Sequence, residues 1–379
     1  MPVTNYYVRA TNGTDAPGGG GSHATAYQTI QYALDDIGAT HGKGAAGDQV
    51  NICDEATNSP AAALSLAAYG VPATGAPLIL RGYTSVANDG GRGSIDRTGG
   101  AVINDAALTH VHLVDLDLKG GSGGTAVVRL GNYCVAHNLD LTPSALNVAN
   151  GLNLAEHSRI TGNRLRYLAG VANFVYGLQL AATAFVMGNF LDGCIISGND
   201  DVLFLGNIVR VRAANYNGIM SGFGHSIAVG NIVYNLTAGT VPGIYLGNWT
   251  ARRNHMALNN IVCGFSGVGG KGIASYTGER VWMAGHNAYW NNTTNYYAGE
   301  TYIDLTANDI ALAADPFVDA PNGDFTLTKA AKAALSAKGF PLSYLGAHVN
   351  TVPNVTIGAM QMPNGGGGAV SISPHGRRL

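Results

Sequence analysis

The sequence predicts an all-β chain folded as a parallel β-helix, a solenoid of short strands coiled about one axis. Three observations carry that prediction. Asparagine followed by a short apolar run recurs at Asn138, Asn163, Asn189, Asn207, Asn231, Asn260 and Asn287, in the texts HNLDL, GNRLR, GNFLD, GNIVR, GNIVY, NNIVC and HNAYW. The steps of 25, 26, 18, 24, 29 and 27 residues fit a stacked repeat whose single unit is too short to bury its own apolar face. The repeated segments are short, β-branched and punctuated by Gly, Asn and Ser, as in VLFLGNIVRV (202–211) and IAVGNIVYNL (227–236). No ten-residue helical pattern links one repeat to the next, which excludes leucine-rich, ankyrin and tetratricopeptide arrays. Asn suits the turns because it tolerates left-handed backbone angles and bonds its own backbone. Stacked rung over rung, its amides form a ladder.

The elements follow in order. Residues 3–9 form a first strand and 10–26 a Gly-rich loop. AYQTIQYALDDIG (26–38) places Ile30, Ala33, Leu34 and Ile37 on one face, an amphipathic helix stopped by Gly38. Strand resumes at GDQVNICD (47–54), so the helix is placed to plug the solenoid's open end, where apolar side chains and unpaired backbone would otherwise meet water. This gives an N-terminal strand and capping helix over 1–54 and coils over 55–300. Residues 55–77, 87–100 and 119–124 are the longest insertions. A C-terminal cap follows over 301–363. It contains a helix starting at Thr306 and Asp309, a second over 328–339 and a closing strand at 355–362. A Gly-rich tail occupies 364–379.

Composition narrows the function. Gly numbers 54 of 379 residues and charged residues only 12%, roughly half of what an ordinary globular chain carries. A net charge of −2 gives no electrostatic case for nucleic acid, and no eighteen-residue apolar run implies a membrane span. MPVTNYYVRAT has no basic then apolar leader, so the expectation is cytoplasmic synthesis. Cys53, Cys134, Cys194 and Cys263 lack metal-ligand spacing and read as reduced thiols filling inward strand positions.

YYVRATNGTDAPG, YQTIQYALDDI and GDQVNI within 6–52, with ADPFVDAPNGDFTL (314–327) and TIGAMQ (356–361), resemble the start and finish of the pectate-lyase-like superfamily of right-handed parallel β-helices. That resemblance implies the right hand. It leaves function open among polysaccharide lyases, glycoside hydrolases, phage tailspikes and non-catalytic virion proteins.

Candidate chemistry sits at three places. Asp200 and Asp201 in SGNDDVLFLG precede His225 by one coil, an arrangement that resembles the Asp-Asp and Gly-His-Gly elements of polygalacturonase-type hydrolases. The pattern departs where Asn173-Phe174-Val175 stands for Asn-x-Asp, where Ser226 follows His225, and where Arg252-Arg253-Asn254-His255 stands for Arg-x-Lys. Asp115 and Asp117 in HVHLVDLDLKGG alternate with Val114, Leu116 and Leu118, so both carboxylates and Lys119 share a face on which Ca²⁺ could be held. Arg210 and Arg212, two residues apart, are candidates for substrate carboxylates. Tyr289, Trp290, Tyr296 and Tyr297 cluster near the last coils, either stacking on sugars or packing the cap. GVGGKG (267–272) lacks the Lys-Ser/Thr of a phosphate loop and reads as a turn.

Low charge, the incomplete catalytic set and the Gly-rich end favour a non-catalytic virion-type β-helix. Such a protein would be a trimer decorating a phage capsid or tail as a tailspike component, with other virion proteins and host surface polysaccharide as partners. The alternative is a polysaccharide lyase or glycoside hydrolase acting on an acidic polysaccharide. No cofactor is implied beyond Ca²⁺.

Overall fold

The computed structural model describes residues 4–40, 47–66, 69, 76–122, 124–144, 150–166, 176–222, 224–247, 254–276, 280–298, 300–336 and 338–339. The expected closing strand at 355–362, the tail, Asn173-Phe174-Val175 and Arg252-Arg253 lie outside them. The fold is a right-handed parallel β-helix whose coils build three parallel sheets of 12, 11 and 9 strands, most coils contributing one strand to each. The chain divides into two compact units, residues 1–185 and 186–379.

In the first unit, the first sheet runs from Thr4–Val8 through Asp48–Cys53, Leu78–Tyr83, Val111–Val114 and Val135–His137 to Arg159–Thr161. Helix α1 (Ile30–Thr40) buries Ile30, Ala33, Leu34 and Ile37, the face read from the sequence, but continues two residues beyond Gly38. The supposed insertion at 87–100 contains a strand, Gly93–Asp96, paired in parallel with Leu116–Gly120. All four cysteines are buried free thiols, and burial raises the pKa of Cys134 to about 11.

In the second unit, inward residues stack in columns such as Val209, Val233 and Val262, and Ile196, Ile219, Ile244 and Ile273. Each buried Val or Ile is worth ~1.5–3 kcal/mol relative to exposure. The columns depend on strict register, and register is fixed at the corner between the first and second sheets. There one left-handed residue is followed by asparagine: Gly206 (φ 58°), Gly230 (φ 65°), Asn259 (φ 57°) and His286 (φ 54°) precede Asn207, Asn231, Asn260 and Asn287. The left-handed angle therefore belongs to the residue before the repeated asparagine, not to the asparagine itself. Each repeated amide does something else. Asn231 Oδ1 accepts both the backbone N–H and the Nδ2–H of Asn207 at 3.0 Å, while Asn231 Nδ2 donates to Asn260 Oδ1 and to the Phe204 carbonyl, each at 3.0 Å. The same links join Asn189 to Asn207 and Asn260 to Asn287. The expected ladder is present and wholly buried.

Asn138 is out of phase. It is itself left-handed (φ 52°), and Leu139 holds the ladder position, its N–H bonded to Asn163 Oδ1 at 2.8 Å.

The ladder also corrects the expected helix at Thr306. Only a single 3₁₀ turn, Thr306–Asn308, forms there. Asp309 Oδ1 instead accepts the Asn287 N–H at 2.8 Å, taking the next rung's place, and the chain runs on as another strand, Ile310–Ala311. The coils thus extend past 300.

The C-terminal elements cover the outside of the second sheet rather than an end. The antiparallel pair Phe317–Asp319 and Asp324–Leu327, with helix α2 (Lys329–Leu335), packs Phe317, Phe325, Leu327 and Leu335 against Ile232, Tyr234, Ile261 and Cys263. Cys263 consequently points away from the coil interior. Tyr289 is buried inside, and Trp290 stacks on Tyr234 at 6.2 Å beneath this cover. No helix among the described residues is long and apolar enough to cross a membrane.

Asp309 generates a pH prediction. Burial raises its pKa to about 6, with the Asn287 hydrogen bonds only partly offsetting it. The folded state therefore binds the proton more tightly than the unfolded chain, and stability from this group is full below about pH 4 and lost as pH rises through 6. Asp309→Asn keeps an acceptor without the charge. Its Tm advantage over wild type should grow from pH 4 to pH 7 by scanning calorimetry; an advantage that shrinks over that window would refute the assignment.

Candidate functional site

The sequence places Asp115, Asp117 and Lys119 on one face; the structure keeps Asp117 and Lys119 together there but takes Asp115 off it. A corner falls at Asp115, which is left-handed (φ 54°) between Val111–Val114 in the first sheet and Leu116–Gly120 in the second. Asp115 accepts from Asn138 Nδ2 at 2.6 Å. Asp117 faces outward on the second sheet, bonded to Arg92 Nε at 2.8 Å, and Lys119 pairs with Asp96 at 2.7 Å. Arg166 grips Asp140 on the same face, with Nε at 2.7 Å from Oδ1. Each of these outward carboxylates is already answered by a cation. Among the described residues no three His, Cys, Asp or Glu side chains converge in a metal-binding group.

Asp201 and His225 do come together, in register on adjacent coils as the spacing implies. Their contact is with backbone. Asp201, left-handed at φ 48°, accepts the His225 backbone N–H at 2.9 Å, and His225 Nδ1 accepts the Asn254 N–H at 3.2 Å. Asp200 is half-buried at the end of its strand. The next residue along carries a feature that sequence reading missed. Ser226 Oγ lies 2.8 Å from His255 Nδ1 one coil on, and Ser221 Oγ bonds to Ser226 Oγ. All three are buried, and burial, with His225 nearby, lowers the His255 pKa to about 4. A neutral imidazole sharing a hydrogen bond with a hydroxyl completes this chain as an interior polar stack closed to solvent.

Arg210 and Arg212 do not present a free binding surface. Both close on Asp192: Arg210 Nε and Arg212 Nε lie 2.8 and 2.7 Å from its Oδ1. Arg210 also donates to the carbonyls of Pro321 at 2.8 Å and Ala320 at 3.3 Å. It pins the C-terminal cover to the second sheet, helped by Tyr234, whose hydroxyl donates to Asp315 at 2.7 Å. Burial alone would raise the Asp192 pKa, but the two guanidiniums outweigh it and hold it below the ordinary value.

Tyr133 in the first unit is exposed but stacked between His110 and His157; the other exposed aromatic rings among the described residues lie on the last coils of the second unit. Trp282 and Tyr302 occupy matching positions on the adjacent strands Arg280–Gly285 and Glu300–Leu305, 48% and 60% exposed. A register shift against the preceding strand makes Trp282 an extra residue, so alternation breaks and the indole turns outward. The Arg280 guanidinium lies 5.4 Å from the Tyr302 ring centre. On the neighbouring sheet, Lys271 Nζ sits 3.9 Å above the exposed ring of Tyr297. Tyr296 Oη, 2.8 Å from Thr301 Oγ1, ties the two strand ends together. The strip offers flat apolar faces beside two cations.

Comparison with known proteins bears on the fold. No family model matches the chain, and no curated protein sequence matches it. Among solved structures, the pectate lyase Pel9A superposes with a TM-score of 0.57 at 12% identity, covering 95% of this chain and 96% of that one. Weaker likenesses are to the GH136 lacto-N-biosidase from Eubacterium ramulus (TM-score 0.42, 12% identity, 79% and 68% covered) and to the pectin methylesterase from Aspergillus niger (0.27, 13%, 83% and 88%). The first likeness extends over nearly the whole chain and shows the shared parallel β-helix fold.

The Asp192 clamp is a matter of cohesion. Removing the carboxylate strands buried Arg210, so Asp192→Ala should cost ~3–5 kcal/mol in denaturant unfolding, whereas Arg212→Ala should cost about 1 kcal/mol or less. Because the folded pKa is depressed, the clamp's stabilisation is present above the unfolded aspartate value and falls away as pH drops through the folded one. Equal losses for the two variants at pH 7 would contradict this division.

Proposed function

We propose that this chain is a carbohydrate-directed β-helix that binds an acidic polysaccharide along the outward strip of its last coils. The observation that carries the proposal is the register pair Trp282 and Tyr302, both exposed, with Arg280 and Lys271 alongside. Sugar rings present C–H faces that pack on flat aromatic surfaces, and uronate or similar carboxylates pair with guanidinium and ammonium groups. A register pair on adjacent strands presents its rings side by side, the arrangement a linear polymer needs. The pectate lyase likeness supplies the scaffold and is consistent with a polysaccharide ligand, without fixing activity.

Two settings remain in play. A virion component, assembled as a trimer, rests on the low charge and Gly-rich end read from the sequence. An enzyme rests on the meeting of Asp201 with His225, where Asp200 and Asp201 would be the carboxylates of a glycoside hydrolase or polysaccharide lyase. The exposed strip serves either.

Affinity electrophoresis in gels cast with acidic and neutral polysaccharides tests the proposal. Wild type should be retarded by an acidic polymer, and Trp282→Ala with Tyr302→Ala should weaken that retardation about 10–100-fold. Retardation untouched by the double substitution would overturn it. Assay of reducing ends and unsaturated uronates on the same polymers separates the settings: turnover abolished by Asp201→Asn marks an enzyme, and binding without turnover marks a binding protein.

A further inference from the structure

Two columns of apolar side chains run in register up the outer face of the first sheet in the second unit. One is Leu203, Ile227, Met256, Met283 and Ile303; the other is Leu205, Val229, Leu258 and Leu305, with Gly285 filling its gap. The residues between the columns point the other way. Phe204, one of them, lies against Gly198 of the third sheet, so its side is the interior and the columns face outward. Neither column contains a charge. An outward face should be wet, yet Val229 is 2% exposed and Leu258 0%. Among the described residues, the partly buried apolar side chains packed around this pair are Leu205, Ile227, Met256 and Met283, all of the same face. Neighbours standing on the same sheet close off only the sides of a residue, and a fully buried one touches roughly 6–12 others. Leu258 therefore has a second layer over it.

The chain itself supplies what fits. Beyond α2 it returns to the rim of this face: His286 Nδ1 donates to the Lys338 carbonyl at 2.7 Å, and His286 follows Gly285 of the second column. Residues 340–362 come next. They include FPLSYLGAHV and VTIGAMQM and contain no Asp, Glu, Lys or Arg. An uncharged segment tethered at the edge of an uncharged face buries apolar surface on both sides without desolvating an ion. Reach is no obstacle. The strands from Val202–Leu205 to Glu300–Leu305 are five neighbours in the sheet. At about 4.8 Å apart they span roughly 20 Å, which about six extended residues cross. The Gly-rich residues 364–379, with Arg377 and Arg378 near their end, offer no such match.

We propose that residues 340–362 of this chain are the partner of the outer face and close it over Val229 and Leu258. Trp282 and Tyr302, on the last two strands of the same sheet, stay exposed, so the covering stops short of the aromatic strip. This contact holds whether or not the strip binds polysaccharide.

Photo-cross-linking of the full chain tests the assignment. A benzophenone-bearing residue in place of Met256 should link, within one chain, to a peptide from 340–362 identified by mass spectrometry. The same replacement at Ile227, in register beside Met256, decides the matter if the first variant fails to fold. Links between two chains would make a second copy the occupant and overturn the proposal. Links confined to parts of the chain outside 340–362, or no protein link at all, would overturn it equally. Leu342→Asp combined with Ile357→Asp should lower the Tm by a few degrees and raise binding of an apolar dye, whereas Ser371→Asp should change neither. Wild-type Tm and dye binding in the double variant would also count against the assignment.

Discussion

The coils of the second unit depend on the corner between the first and second sheets, where a left-handed residue hands the chain to a buried asparagine. A sharp change of direction leaves backbone N–H groups inside the turn with no strand partner, and a buried unpaired N–H is expensive. The asparagine of the next coil answers each one. Asn260 Oδ1 takes the Asn231 N–H, Asn287 Oδ1 takes the Asn260 N–H, and Asp309 takes the last. Each amide is held from both sides, so the ladder sets how successive coils lie over one another. The Val and Ile columns pack only because that register is fixed.

With the interior settled by repetition, individuality falls to the outward faces, and each is finished differently. In the first unit the second sheet carries interleaved charges, Arg92 to Asp117, Lys119 to Asp96 and Arg166 to Asp140, and stays wet. In the second unit the same sheet is apolar and is covered by the segment from Phe317 to Leu335, fastened by Arg210 and Tyr234. The last two coils show neither finish. Their aromatic rings remain open beside cations, and that is the physical basis for placing a polysaccharide there.

The fold was legible in the sequence because the ladder is a periodic signal and asparagine has few other reasons to recur before a β-branched run. Its detail was less so. Asn138 matches the text of the repeat but sits one position early, since the pattern does not distinguish the left-handed residue from the amide that follows. Asp309 looked like a helix cap because an acid three residues after Thr serves that role in isolation; only the stacked Asn287 reveals its partner. Arg210 and Arg212 read as outward charges because Asp192 lies 18 residues earlier, one coil away, where no local pattern points to it. Trp282 was missed for the opposite reason: strict alternation would turn it inward, and only the register shift shows it outside. The pairing of Asp201 with His225 followed directly from coil length, although the atoms that meet are carboxylate and backbone rather than carboxylate and imidazole.

The most direct test of the ladder is amide hydrogen exchange in Asn231→Leu, a change close in size that removes one rung. The ladder account predicts that the Asn207 N–H, deprived of its acceptor, loses protection first and that the loss spreads to the neighbouring coils around Phe204 and Asn260. Protection at Asn207 equal to wild type, with the coils exchanging as before, would show that strand pairing alone sets the register and that the asparagines are incidental to it.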